Sequence, residues 1–203
     1  MAYIGSKPAD KVLTASDITD GIISSAKIAD GTIVNADVNA SAAIVASKLS
    51  GSGKVLQVVS TAKTDTTSTT SSSFADISGM TLAITPVATS SKILVMVQTY
   101  ICGGSTANQP INLLRGTTVI GAADVAADYT MPFRQGADAQ NQYQMFLLST
   151  TFLDSPSASS STTYKLQWKT NSGTLYLNRS VDESGLGTGV NACSTITAME
   201  IGA

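Results

Sequence analysis

Histidine is absent from the 203-residue sequence, and this limits the chemistry open to its other reactive side chains. Without an imidazole the chain cannot form the Ser-His-Asp or Cys-His arrangements of nucleophilic hydrolases, and it lacks the most common metal ligand. Cys102 and Cys193, 91 positions apart, are too few for a cysteine-rich zinc site. We expect two buried thiols that act as small hydrophobic side chains; a disulfide would require that their strands be neighbours.

A carboxylate pair is the remaining route to hydrolysis. Outside the N-terminal segment the acids include Asp124, Asp128, Asp138, Asp154, Asp182 and Glu183. Most fall in predicted loops, and none forms a pattern that specifies acid/base work. Asp182 and Glu183 are typical of a solvated turn. We therefore expect a protein that is not an enzyme.

Two glycine-containing runs resemble nucleotide-binding loops without meeting their requirements. The run Gly51-Ser52-Gly53-Lys54 has Lys48 where a phosphate loop needs its first glycine and Val55 where it needs Ser or Thr. The run 185–189 lacks the strand and helix that flank a dinucleotide cradle. We expect no cofactor.

Composition argues against two classes of partner. The net charge is -2, and only 13% of residues are charged, so no basic footprint for nucleic acid is present. No run reaches the ~20 apolar residues of a membrane span. The first ten residues lack a positive region followed by an apolar run, so we expect no secretory signal.

Residues 15–54, here called the repeat segment, carry an internal repeat of ten residues. Apolar residues recur about every five positions, a spacing that fits neither a helix nor a strand. The recurring apolar residues are Ile18, Ile23, Ile28, Ile33, Val38, Ile44 and Leu49.

The repeat segment offers too little apolar surface for one chain to offset the entropy of ordering it. Identical chains wound round a common axis would supply the missing neighbours, with the recurring apolar residues as the seam between them. The alternative is a disordered linker, which the content of Ala, Ser, Asp and Gly would suit. The regular spacing favours an ordered, self-associating stalk that ends in a flexible joint at Ser50–Gly53.

Residues 1–14 form a short head before the repeat segment. Tyr3 and Ile4 precede turn residues that include Pro8. A frayed terminus is one interpretation. The other is a docking peptide that becomes ordered on binding something larger.

From Val55 onward the pattern predicts β-strands and few helices. Lys92–Ile101 is nearly continuous in apolar residues, which predicts a central strand covered on both faces. In Thr163–Lys169 apolar and polar residues alternate, which predicts one buried face. The other predicted strands are 55–60, 74–77, 80–84, 111–114, 118–120, 144–153, 174–178 and 194–201.

The strands 111–114 and 118–120 flank Arg115-Gly116-Thr117, which predicts a hairpin with a three-residue loop. Residues 60–73 are rich in Ser and Thr and predict a surface crossing or an edge, and 121–143 predict a long irregular excursion with a helical turn near 122–127. About nine strands with long loops predict an antiparallel β-sandwich of jelly-roll type over 55–203, with the last strand inside a sheet.

Four stretches resemble structural proteins of tailed bacteriophages. The opening AYIGSKPA resembles the N-termini of tail fibres, and ITDGIISSAKIADGTIVNADV resembles their shaft repeats. KVLQVVSTAKTDTTSTTSSSFADISGMTLAITPVATSSKILVMV is similar to the start of a virion domain found in phages of marine bacteria and cyanobacteria. TFLDSPSASSSTTYKLQWKTNSGTLYLNRS and STITAMEI are similar to its later part.

This resemblance implies a homotrimer with a thin N-terminal stalk and a β-rich head, located on the virion and made in the host cytoplasm. Tyr3, Ile4 and Pro8 would then dock to another virion protein. Loops 103–110, 122–143 and 179–193 would meet a host-surface polysaccharide or protein; the side chains that we single out there are Tyr129, Arg134, Gln140, Asn141 and Arg179.

The repeat segment is short, with about four repeats, so the resemblance leaves two roles open. One is a tail fibre for host attachment, and the other is a capsid head fibre or decoration protein without a receptor. For a third role, that of a fibre-borne glycan depolymerase, the sequence lacks a carboxylate site.

Overall fold

In the computed structural model, the described residues are 14, 18–39, 41–42, 54–103, 109–122, 129–132, 144–181 and 191–202. The chain divides into two compact units, residues 1–49 and residues 50–203.

In the first unit the backbone geometry repeats together with the sequence. Gly21 and Gly31 both have φ of +79°. In the two turns the Ile22 amide donates to the Thr19 carbonyl and the Thr32 amide to the Ala29 carbonyl, both at 3.1 Å. Because a Cβ at either glycine would meet nothing within 4 Å, the backbone angle and not the space calls for glycine. Short 3₁₀ turns follow at Ser25–Lys27 and Asn35–Asp37. The ten-residue period is therefore also a period of the backbone.

The second unit is mainly β, and its described part contains ten strands. Their bounds are β1 Val55–Lys63, β2 Thr67–Thr69, β3 Ala75–Ile84, β4 Lys92–Gly103, β5 Ile111–Arg115, β6 Thr118–Ile120, β7 Phe146–Asp154, β8 Thr162–Trp168, β9 Leu175–Leu177 and β10 Ser194–Ile201.

The strands form two antiparallel sheets in a sandwich-like arrangement. Sheet A has the order β1-β10-β4-β9-β2, with β7 paired to β4 on the side away from β10. Sheet B has the order β3-β8-β5-β6. The prediction that the last strand lies inside a sheet is confirmed, because β10 pairs with β1 and β4. The Ser/Thr tract 60–73 contributes β2 as an edge strand, also as predicted.

The core lies between the two sheets. Tyr164, Leu166 and Trp168 on β8 are all at most 3% exposed, which confirms the alternation predicted for Thr163–Lys169. They pack with the inward side chains of β4, including Ile93 and Val95, both fully buried. Burial of each large apolar side chain contributes roughly 1.5–3 kcal/mol.

The outward side chains of β4 correct the prediction that this strand is covered on both faces. Ile93, Val95 and Val97 face the core, but Leu94 and Met96 face outward and are only half-buried. The strand is central in its sheet, yet within the single chain its outer face is open.

The two short strands predicted at 74–77 and 80–84 are one continuous strand, β3. Its pairing with β8 shifts register between Asp76 and Thr81, and Gly79, inside that interval, has φ of +81°. A bulge inserts residues into one strand without ending it. The sequence alone had predicted that the strand ends there and that a second strand follows. The hairpin of β5 and β6 is confirmed, but its loop has two residues, Gly116 and Thr117, because Arg115 pairs directly with Thr118.

The antiparallel order places the connections at two ends of the sandwich. The entry end is where β1 begins at Val55; it also holds the connections 85–91, 116–117 and 155–161. The loop end is the opposite one, and the described strand ends that flank 64–74, 104–110, 121–145 and 169–193 lie there.

Candidate functional site

The described seam residues of the repeat segment are exposed in the single chain. Ile18, Ile23, Ile28, Ile33 and Val38 have exposed fractions of 38–57%. Ile22 and Val34 are equally exposed, at 50% and 55%, and the five-residue spacing did not single them out. Ile44 and Leu49 lie outside the described residues.

An open groove runs along part of this segment. Ile28, Ala29, Gly31 and Ile33 line it, together with Ser25 and Asp30. Large apolar side chains that water reaches in this way are characteristic of surfaces that bind another chain. The docking residues Tyr3, Ile4 and Pro8 fall outside the described residues.

At the loop end, Tyr129 belongs to a cluster with Phe74 and Lys169. The two ring centroids are 6.0 Å apart with planes inclined by 50°. The Lys169 ammonium lies 4.9 Å from the Phe74 ring centroid and 5.4 Å from that of Tyr129. A cation over two aromatic faces is held by the ring quadrupoles, so the three half-buried side chains form a preorganised surface.

The backbone near Tyr129 is fixed to sheet B. Met131 and Ile111 exchange two backbone hydrogen bonds, of 2.9 and 3.0 Å. Thr130 Oγ1 donates to the Ile120 carbonyl at 2.8 Å and accepts from the Leu113 amide at 3.0 Å. These contacts set the position from which Tyr129 reaches Phe74.

Arg179 lies at the end of sheet A instead. Its guanidinium is 4.9 Å from the Tyr176 ring centroid, and Nε donates to the Ser180 carbonyl at 3.0 Å. Tyr129 and Arg179 thus belong to separate side-chain clusters at the ends of different sheets. Arg134, Gln140 and Asn141 lie outside the described residues.

Asn178 anchors the loop that follows Arg179. Its φ is +63°, a left-handed conformation that asparagine tolerates. Its Nδ2 donates to the carbonyls of Lys63 and Asp65 at 2.7 and 3.0 Å, and its Oδ1 accepts from Ser194 Oγ at 2.6 Å. The fully buried amide therefore joins β1 and β10 to the base of the loop. The sequence singled out Arg179 and missed this positioning residue.

Asp154, which comes directly after the predicted strand 144–153, is buried at the end of β7. One carboxylate oxygen accepts from Arg115 Nη1 at 2.6 Å and the other from the Tyr164 hydroxyl at 2.7 Å. Burial, followed by the hydrogen bond to Asp154, raises the pKa of Tyr164 well above its ordinary value of 10, so the phenol stays protonated and donates. This trio joins the two sheets and is a structural contact.

No disulfide joins Cys102 and Cys193: Cys102 is buried as expected, whereas Cys193 is exposed. Among the side chains that the structure describes, no group of three or more acids and cysteines is placed to hold a metal ion. No helix in the described ranges is long and apolar enough to cross a bilayer.

No protein-family model matches the sequence. A comparison with curated proteins likewise found no match.

Proposed function

We propose that this chain is a structural protein of a tailed-bacteriophage virion, a trimeric tail fibre whose β-sandwich head attaches to the host surface. The observation that carries the proposal is a segment of periodic, exposed apolar residues that precedes a mainly β unit, in which the strand ends that flank the long connections lie at one end. The resemblance of both parts to phage fibre sequences gives that arrangement its function.

The strand order supports a jelly-roll head. Residues 93–98 of β4 pair with β10 on one side and β7 on the other. The orders β1-β10-β4-β7 and β3-β8-β5-β6 are those of an eight-stranded jelly roll, with β2 and β9 as additions. Jelly rolls are common among viral structural domains and lectins.

The exposed seam supports assembly through the repeat segment. Seven Ile and Val side chains between residues 18 and 38 are 38–57% exposed. Packing against like chains would remove them from water at roughly 25 cal/mol per Å² of apolar surface. Threefold symmetry enters from the resemblance to fibre shafts.

The loop end supports contact with a receptor. The chain enters the head at Lys54, and the described residues Tyr129 and Arg179 lie at the opposite end of the sandwich. Loops held by a rigid scaffold are where binding groups concentrate. The role we propose is binding and not catalysis, because the sequence lacks histidine and the buried Asp154 serves the fold.

Competition for adsorption tests the proposal. Purified full-length protein should bind host cells and reduce adsorption of the phage that encodes it. Tyr129→Ala should weaken this effect, because it removes one of the two rings beneath Lys169. Lys165→Ala, on the outer face of sheet B, is the control and should behave like the wild type. A protein that neither binds host cells nor slows adsorption would overturn the receptor role.

The alternative is a capsid head fibre or decoration protein, favoured by the brevity of the repeat segment. A capsid protein is present in copies set by icosahedral symmetry, whereas tail fibres are few, so quantitative mass spectrometry of the virion separates the two roles. Electron microscopy of intact particles would locate the head and the virion protein to which residues 1–14 dock. Release of reducing sugars from host envelope would instead indicate a depolymerase.

A further inference from the structure

The outer face of sheet A, opposite the core, carries an apolar row across four strands. The row consists of Val58 on β1, Met199 on β10, Leu94 on β4 and Leu153 on β7, each paired with the next. Val58 and Leu153 are each 53% exposed. Val55 and Leu147, on the same face, are 55% and 51% exposed.

The rest of this face is almost without charge. Two further rows cross the same four strands beside the apolar row. The first consists of Ser60, Thr197, Met96 and Thr151, and the second of Ala62, Thr195, Gln98 and Ser149. At the margins of the face, Tyr100 pairs with Leu147, and Ile201 pairs with Val55 and Lys92. Among these described positions only Lys92, at one corner, is charged, and its ammonium donates to Ser155 Oγ at 2.7 Å.

Sheet B presents a different outer face. Lys165 forms an ion pair of 2.9 Å with Asp76, and Gln167 donates to the same carboxylate at 2.7 Å. That polar network is what an antiparallel sheet carries when water covers one side. The contrast within one sandwich indicates that the two outer faces meet different surroundings.

The pattern of β4 leads to the same conclusion. A continuous apolar run is typical of a strand covered on both faces, yet the single chain covers only one face of residues 93–97. Four strands at ~4.8 Å spacing and eight residues at ~3.3 Å give the face about 19 by 26 Å. This flat area, about 500 Å², is more than half of the ~800 Å² that each partner buries in a stable interface.

We infer that the outer face of sheet A packs against the head of a second copy of this chain. The inference rests on the proposed assembly through the repeat segment. That segment leads directly into β1, which supplies Val55 and Val58 to the face. Chains joined there hold their heads at high effective concentration, so a modest contact suffices. An uncharged face suits identical copies, because a charged one would bring like charges together.

Substitutions on the two outer faces test this inference in the full chain. Val58→Asp and Leu153→Lys place a charge on the face, and we expect each to raise the concentration at which the assembly dissociates by about tenfold or more. Both side chains are half exposed in the single chain, so the fold should survive, which circular dichroism checks. The matched control is Ala83→Asp, exposed on β3 of sheet B, and it should match the wild type in light scattering.

Methionine oxidation gives a second measurement, which reports how far the face is protected from solvent in the assembled wild type. Met96 and Met199 lie on the outer face of sheet A, and Met80 is fully buried in the core. In the assembled wild type, peroxide should oxidise Met96 and Met199 several-fold more slowly than in the Ile28→Asp/Val58→Asp double variant. Met80 should be protected in both.

The outcomes separate this inference from the proposed function. An assembly that survives Val58→Asp and Leu153→Lys but not Ile28→Asp, with unprotected Met96 and Met199, overturns the head interface and leaves the fibre proposal standing. A wild-type chain that is monomeric at every concentration overturns both.

Discussion

Glu200 shows how a charged side chain becomes part of the core of this sandwich. It is fully buried on β10, where Oε2 accepts from Gln57 Nε2 at 2.6 Å and Oε1 accepts from the Val87 amide at 2.7 Å. Burial is the largest influence on its pKa and raises it, but hydrogen bonds, including that from Gln57, together lower the pKa below its ordinary value of 4.5. The folded state therefore favours the carboxylate.

The lowered pKa fixes the sign of a pH dependence. Because the pKa of Glu200 is lower folded than unfolded, its contribution is present above about pH 4.5 and is lost as the pH falls through the folded pKa. We expect Glu200→Gln to reduce the free energy of unfolding by about 1–3 kcal/mol at neutral pH, since a glutamine keeps one acceptor oxygen for two donors, the Val87 amide and Gln57 Nε2. The deficit should shrink as the pH falls below about 4.5 and through the lowered pKa of the folded state.

Urea unfolding at a series of pH values measures this deficit. Asp20→Asn, an exposed acid in the repeat segment, is the control and should stay within about 0.5 kcal/mol of the wild type throughout. A deficit for Glu200→Gln that stays constant at every acidic pH at which the wild type remains folded would contradict the assignment.

For single residues, the sequence predicted which side chains of a strand face the core better than it predicted which side chains contact each other. Alternation alone placed Tyr164, Leu166 and Trp168 in the core, because a strand has a side-chain period of two. The burial of Asp154 was not predictable, since Arg115, one of its two hydrogen-bond partners, comes from another strand of the chain. The same holds for the candidate site: Tyr129 was singled out, but its contacts with Phe74 and Lys169 depend on how the loops meet.

At the scale of elements, β3 shows what a local pattern cannot decide. Ser78-Gly79 fits both a turn that ends a strand and a bulge inside one, and the choice was made by β8, which pairs with residues on both sides of the interval. Most strand positions elsewhere followed the sequence closely, because apolar runs or the alternation of apolar and polar residues marked them locally. Sheet order did not, since it depends on pairing between strands far apart in the chain.

The bulge in β3 provides a test of backbone strain. Gly79 has φ of +81°, and a Cβ there would lie 3.5 Å from the Lys63 side chain, an ordinary contact. Gly79→Ala therefore meets no clash, and its cost should be conformational, about 1–2 kcal/mol in the free energy of unfolding. Ser78→Ala, exposed and without a positive φ, is the control in urea unfolding. Equal stability of Gly79→Ala and the wild type would contradict the strain.

For the whole molecule, the proposed seam gives the most direct prediction. Ile28→Asp would place one carboxylate per chain near a common axis, where each must be desolvated or remain solvated at the expense of packing. We expect the variant to associate more than tenfold more weakly than the wild type, as an order-of-magnitude estimate. Light scattering across a dilution series measures it.

Thr32→Asp adds the same charge at a neighbouring exposed position and is the control. If Ile28→Asp and Thr32→Asp assemble like the wild type, Ile28 is not part of a seam. If both dissociate, the segment is sensitive to charge at any position, and the apolar period is not what specifies assembly.

The path of the chain through the head has a mechanical consequence. The chain enters at Lys54, whose carbonyl accepts from the Gly202 amide at 2.8 Å, and β1 then runs to the loop end along eight residue pairs with β10. A tensile load between the entry end and a ligand held at the loop end acts along these strands. It loads the hydrogen bonds of the β1–β10 ladder in shear, all at once, and not one after another as in unzipping. The same topology that separates the two ends therefore makes the sandwich resist force along the line between them, which is the direction of load if the chain is a fibre as we propose.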